Sequence, residues 1–417
     1  MRKNGQVMGP FKILIPVIMG MTGELFIVIP PFGTVAMLDF AALVLAIPIL
    51  CRHWGWMGRC MRRCLMFSFA WTAAAMLANL FNFYEIRYWV KCVTIVSSSW
   101  TLLAVAYAVL KNNPAGYLWY LVGAGIGGWI GLYHFRNGAI EGFATKGFGG
   151  VDLGDAGALM EKQVYPMIAR GIVYGCVLPF FIWWRKLPAF GVILAMMIGG
   201  FWMLIHGGSR SNFGMFCASA GAGFVVVYGG RAFRRLAKNP ALMIVIVGVS
   251  AAVVFGAYQY LVKSGAMGED ELRKYEGEFG SERKNEKGAL SGRAGLDYAT
   301  KYAVQTCGLG HGTHLQCHSV WANSLACEGL AGASFWLYFM LLVFWWVRRR
   351  MPYAGKYVPF IVLTVLSCVW DVIGSPYAFR HRFFFLMALI ALSKDNQLYG
   401  VGTLYDKSLA MVRERRQ

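Results

Sequence analysis

The chain has 417 residues, of which 58% are apolar, 15% aromatic and only 14% charged, with a mean hydropathy of +0.51. Soluble domains carry about 25% charged residues, so these proportions exclude a soluble globular protein and point to a polytopic membrane protein. The 40 Lys plus Arg against 20 Asp plus Glu give a net charge of +20, which in an apolar chain reads as anionic lipid head groups and topology, with no nucleic-acid partner expected.

A bilayer core of about 30 Å needs roughly 20 apolar residues per helix. Twelve runs of about that length are predicted, at 11–29, 33–51, 64–82, 89–110, 115–135, 165–184, 188–207, 211–229, 240–262, 321–347, 356–374 and 381–393. The expected fold class is therefore all-α, a single membrane domain over residues 1–417 with no separate soluble domain. The first run follows Arg2 and Lys3 but has no small-residue cleavage site, so it reads as a retained first helix.

Orientation follows from the basic residues in alternate connections: Arg52, Arg59, Arg62 and Arg63; Arg185 and Lys186; Arg231, Arg234, Arg235 and Lys238; Arg348, Arg349 and Arg350. The positive-inside rule makes these cytoplasmic, with both termini inside. Two long segments are then external, about 136–164 and about 263–320. The second begins with a solvated mixed-charge stretch in which seven acidic residues from Glu269 to Glu286 alternate with Arg273, Lys274, Arg283, Lys284 and Lys287.

Three elements around this loop can carry chemistry. The connection His206-Gly-Gly-Ser-Arg210 places an arginine where the eighth run begins, and helix N-termini and guanidinium forks both favour phosphate oxygens. Ser291-Gly-Arg293 precedes an amphipathic stretch that reads as a short helix lying against the membrane and ending at the glycine turn Cys307-Gly-Leu-Gly-His311. His318 then opens the tenth run at its external face, where an imidazole can take a proton from a hydroxyl. Glu328 follows ten residues later in Glu328-Gly-Leu-Ala-Gly332, a second catalytic candidate that orients polar groups or accepts a proton, or else packs the helix.

Gly-Ser-Arg after one helix, Ser-Gly-Arg in the next large external loop, then Gly-x-Gly and His-Ser ahead of Glu-Gly-Leu-x-Gly resembles the O-antigen ligase and polymerase superfamily of bacterial surface-polysaccharide enzymes. The resemblance is specific over about 210–335. It implies an inner-membrane glycosyltransferase that moves a glycan from undecaprenyl pyrophosphate to a sugar hydroxyl, on a glycan or lipid A-core acceptor, at the periplasmic face and without a metal or other cofactor. Carried over residue by residue, Arg210 and Arg293 match the pyrophosphate-binding arginines and His318 the essential histidine. The family usually follows that histidine with Asn; here Ser319 stands in its place.

Other readings stay open. Cys307, His311, His314, Cys317 and His318 supply enough ligand types for zinc, although their spacing fits no common finger, and an oxidising compartment favours a Cys307–Cys317 disulfide. Arg380, His381 and Arg382 at the external end of the last run either form a basic collar or help hold phosphate. Arg170, inside the sixth run, must be satisfied by protein or a cavity. A transporter or flippase of lipid-linked sugars also needs many helices and cationic cavities, but such proteins place their charges near mid-membrane and show paired halves.

Overall fold

The computed structural model describes residues 10–29, 33–82, 89, 96–136, 171–172, 293–312, 320–350, 380–395 and 397. The predicted runs at 165–184, 188–207, 211–229, 240–262 and 356–374 lie outside these residues apart from 171–172. Within them the chain is helical except for one short hairpin. Helices α1 (Pro10–Gly23), α2 (Met37–His53), α3 (Arg59–Asn82), α4 (Ser98–Lys111), α5 (Gly116–Arg136), α6 (Arg293–Gln305), α7 (Val320–Arg350) and α8 (Arg380–Lys394) follow in chain order. Among them α2, α3 and α7 contain stretches long and apolar enough to cross a membrane, Met37–Trp56, Arg59–Phe81 and Val320–Arg349.

The first apolar run departs from expectation. Its helix stops at Gly23, and Phe26–Ile29 instead pairs antiparallel with Gly33–Ala36, Phe26 opposite Ala36 and Ile29 opposite Gly33. The physical reason lies in composition: Phe-Ile-Val-Ile is aromatic and β-branched, and Pro30-Pro31 cannot continue a helix. β1 (Phe26–Ile29) and β2 (Gly33–Ala36) therefore cap the α1–α2 connection, and α2 begins four residues later than its apolar run.

α1 packs along α5 through glycines. A side chain at Gly20 would collide with the Tyr120 carbonyl, one at Gly123 with the Val17 carbonyl, and one at Gly127 would lie 2.5 Å from the Met21 carbonyl. Small residues let two membrane helices approach backbone to backbone, where close packing replaces the hydrophobic drive that lipid cannot supply. Among the described residues an aromatic lattice is shared by α3, α7 and α8. Trp71 stacks on Phe335 at 4.8 Å, and Trp336 meets Trp71 and Phe383 edge-on, both at 5.8 Å.

Contacts sort the helix ends into two groups. At one end Asp395, just past α8, accepts backbone N–H groups of Cys60 and Met61 in the first turn of α3, both at 3.0 Å. Gln397 accepts from the Gly58 N–H and donates to the Trp56 carbonyl, while the Lys394 ammonium lies 5.0 Å over the Trp345 ring near the end of α7. At the opposite end Glu24 and Asp39 meet Arg382 and His381. These contacts make α2 and α3 run antiparallel to each other, with α8 parallel to α2. Replacing Gly123 by Leu should drive a side chain into the α1 backbone and destabilise the protein by about 1–3 kcal/mol, read as a lower midpoint of thermal unfolding in detergent; an unchanged midpoint would refute the glycine contact.

Candidate functional site

α6 is amphipathic, and its buried Ala299 and Ala303 pack against Ala322, Leu325, Ala326 and Ala333 of α7. It ends in a Schellman turn: the Gly308 N–H bonds to the Ala303 carbonyl at 2.7 Å and the Cys307 N–H to the Val304 carbonyl at 3.1 Å. Cys307 holds the left-handed position at φ 51°, where glycine is usual. Thr306 secures the turn, donating to the Tyr302 carbonyl at 2.8 Å and accepting from the Gly310 N–H at 2.9 Å.

The loop that follows fits into a break in α7. Gly329 has φ 67° and ψ −153°, which interrupts the helical ladder and turns the Ala326 and Cys327 carbonyls and the Leu330 N–H away from their usual partners. Each finds a replacement in the loop. The Ala326 carbonyl accepts from the His311 N–H at 2.8 Å, the Cys327 carbonyl accepts from the Gly312 N–H at 2.9 Å, and the Leu330 N–H donates to the Gly308 carbonyl at 2.8 Å. Glycine is required on both sides: a Cβ at Gly310 would lie 2.5 Å from the Cys327 oxygen and the Gly329 nitrogen, and one at Gly329 would strike the Gly308 carbonyl. Across the break the Trp336 indole donates to the Ser324 hydroxyl at 3.0 Å.

Glu328 is buried immediately before the break. Gly332, one turn on, leaves space beside it: a Cβ there would lie 3.0 Å from the Trp71 indole nitrogen and 3.1 Å from a Glu328 carboxylate oxygen. The apolar residues 330–347, ahead of the Arg348–Arg350 cluster, extend about 27 Å at 1.5 Å per residue, close to the thickness of a bilayer core. The break thus falls in the N-terminal third of the apolar stretch Val320–Arg349.

Of the other residues expected to carry chemistry, Arg293 is the first residue of α6 and Arg380 the first of α8, and their side chains lie outside what is described. So do Arg210, His314, Cys317, His318 and Arg170. What the structure brings together is the Gly-Leu-Gly-His loop, the helix that Arg293 opens and the Glu-Gly-Leu-x-Gly segment. Cys307 is exposed at its turn, and the His311 ring meets Tyr302 edge-on at 4.8 Å. Among the described residues no group of three or more His, Cys, Asp or Glu is placed to hold a metal.

Arg382 is neither a collar residue nor open to an anion: it is 1% exposed, and its Nε donates to Glu24 Oε1 at 3.0 Å while Nη2 donates to the same oxygen. His381 Nε2 lies 2.9 Å from Asp39 Oδ1 beside it. Glu24 and Asp39 were the residues missed by reading the sequence. Their signal was present, since each is the sole acid in its apolar run and an acid at membrane depth needs a partner. No protein-family model and no curated protein matches the chain.

Two outcomes test this geometry. Gly310→Ala should part the loop from α7, so that the His311 and Gly312 amides lose hydrogen-exchange protection; retained protection would refute the clamp. Glu24→Gln leaves the Arg382 charge buried without its anion and should cost about 3–5 kcal/mol, whereas the Glu24→Gln/Arg382→Gln pair should cost less than the single change, as a double-mutant cycle of unfolding midpoints would reveal.

Proposed function

We propose that the protein is an inner-membrane glycosyltransferase of the O-antigen ligase or polymerase type, with its active site at the periplasmic ends of its helices. The observation that supports this most directly is the backbone clamp between residues 308–312 and 326–330. Two motifs that the resemblance sets side by side only in order are, in this chain, one hydrogen-bonded unit. Arg293 opens the helix leading into that unit, and His318 falls in the short segment between its two halves.

In the reaction the acceptor hydroxyl oxygen attacks the anomeric carbon of the lipid-linked glycan. The bond from that carbon to the diphosphate oxygen breaks, and the polyprenyl diphosphate leaves with the electron pair. Negative charge grows on the leaving group as this happens, so two arginines held against it, Arg210 and Arg293, favour the transition state over the ground state. His318 takes the hydroxyl proton. Glu328, buried beside the break, positions the segment from below rather than touching substrate.

A discontinuous membrane helix is also a feature of many secondary transporters, and this is the observation that keeps the transporter reading as the second one. Transporters break their helices near the bilayer midplane, whereas here the apolar residues 330–347, about 27 Å of helix, remain after Gly329. That placement suits a reaction at the membrane surface better than a transport site.

The test is transfer of a polyprenyl-diphosphate-linked oligosaccharide by purified protein in metal-free detergent buffer, with donor binding measured in parallel. Arg210→Lys and Arg293→Lys keep the charge but lose the bidentate fork, so both should weaken donor binding and transfer. His318→Ala should lower transfer by roughly 10² to 10⁴ while the donor still binds. Near-wild-type transfer by His318→Ala, or loss of wild-type transfer on chelation, would overturn the mechanism; ATP-independent movement of the donor across vesicles without transfer would support the transporter.

A further inference from the structure

The end of the bundle opposite Glu24 and Arg382 carries a second feature, independent of the transferase reading. Between α2 and α3 the chain makes a tight elbow, a single 3-10 turn Trp54–Trp56 followed by Arg59, the first residue of α3. The elbow is fixed from within and from across the molecule. The Met57 N–H bonds to the His53 and Trp54 carbonyls at 3.1 and 3.3 Å, Gln397 holds the Trp56 carbonyl and the Gly58 N–H at 2.8 and 2.9 Å, and Asp395 caps the Cys60 and Met61 N–H groups.

The charge on this elbow is one-sided. No acidic residue occurs between Asp39 and Glu85, a stretch that contains Arg52, Arg59, Arg62 and Arg63. Asp395 is the one described acid that touches the elbow, and both its oxygens are taken by backbone N–H groups rather than by guanidinium. Arg59, Arg62 and Arg63, at i, i+3 and i+4, share the face of α3 opposite buried Cys60, Met61 and Cys64, with Arg59 and Arg63 exposed and Arg62 half-buried.

The apolar parts complete the pattern. Trp56 is 74% and Trp54 38% exposed, the ring-bearing residues on either side of Gly55, where an added Cβ would meet nothing within 4 Å. Just inside them, Val44 and Ile47 on α2 and Met66 on α3 are exposed aliphatic side chains. Aliphatic surface, then indoles, then unneutralised arginines is the order in which a phospholipid presents acyl chain, glycerol region and phosphate.

We propose that the elbow from Arg52 to Arg63 is a binding site for an anionic phospholipid, its phosphate held by Arg59 and Arg63, its glycerol region against Trp54 and Trp56, and an acyl chain along the exposed strip of α2. Because Asp395 already fills the amide positions at the α3 N-terminus, the guanidinium groups rather than the helix end select the head group. A zwitterionic lipid brings its own cation to the site and is disfavoured.

The experiment is native mass spectrometry of the full chain from mixed micelles holding equal amounts of phosphatidylglycerol and phosphatidylcholine. The wild type should retain phosphatidylglycerol preferentially, and Arg59→Gln/Arg63→Gln should reduce that preference by about tenfold or more, since each basic side chain near a lipid surface contributes roughly a fivefold preference. Arg59→Lys/Arg63→Lys should keep most of it, which separates loss of charge from loss of fold. Arg348→Gln/Arg349→Gln, at the end of α7, should leave it unchanged. Absence of preference in the wild type, persistence in the glutamine variant, or an equal loss from the α7 variant would each overturn the assignment, the last by showing a diffuse charge effect rather than a site.

Discussion

In hydrocarbon a backbone amide or carbonyl without a partner costs several kcal/mol, and this constraint governs the part of the molecule where chemistry is proposed. Gly329 frees two carbonyls and one amide of α7. A helix broken in this way persists at a membrane boundary only if other backbone supplies the missing partners, and residues 308–312 do so with three bonds of 2.8 to 2.9 Å. The Schellman turn of α6, the left-handed Cys307 and the glycines at 308, 310 and 329 all serve that one exchange. α6 is consequently not an appendage of the segment before α7 but part of the construction of α7.

Charge is distributed on the same principle, with opposite results at the two ends of the bundle. Where Arg382 and His381 enter the protein interior, Glu24 and Asp39 meet them, so the buried guanidinium carries its own anion and the imidazole its own hydrogen-bond partner. At the elbow between α2 and α3 the acid is spent on backbone amides and the arginines face outward. The first arrangement holds helices together. The second leaves positive charge for the surroundings to neutralise.

Much of this was legible in the residues. The apolar runs located α2, α3, α5, α7 and α8 to within a few positions, because a run of 20 apolar residues has few alternatives in lipid. The amphipathic stretch after Arg293 and its glycine stop gave α6 and its cap. The hairpin at 26–36 was not legible as such, since four strand-forming residues continue an apolar run without any change in hydropathy. Nor was the clamp. Gly-x-Gly and Glu-Gly-Leu-x-Gly each read as a local turn or packing motif, and nothing in spacing says that one supplies hydrogen bonds to the other. The basic cluster at 380–382 was seen, but its acids lie about 350 residues away, beyond any local pattern.

That separation has a consequence for how the chain is made. Glu24 enters the membrane region with the first helix, and the arginine that neutralises it is 358 residues further along. Throughout synthesis of the intervening spans, Glu24 and Asp39 must be tolerated in a partly formed bundle, protonated or sheltered by water and insertion machinery. Among the described residues it is α8 that brings both partners, so a chain truncated before residue 380 leaves Glu24 without Arg382 and Asp39 without His381.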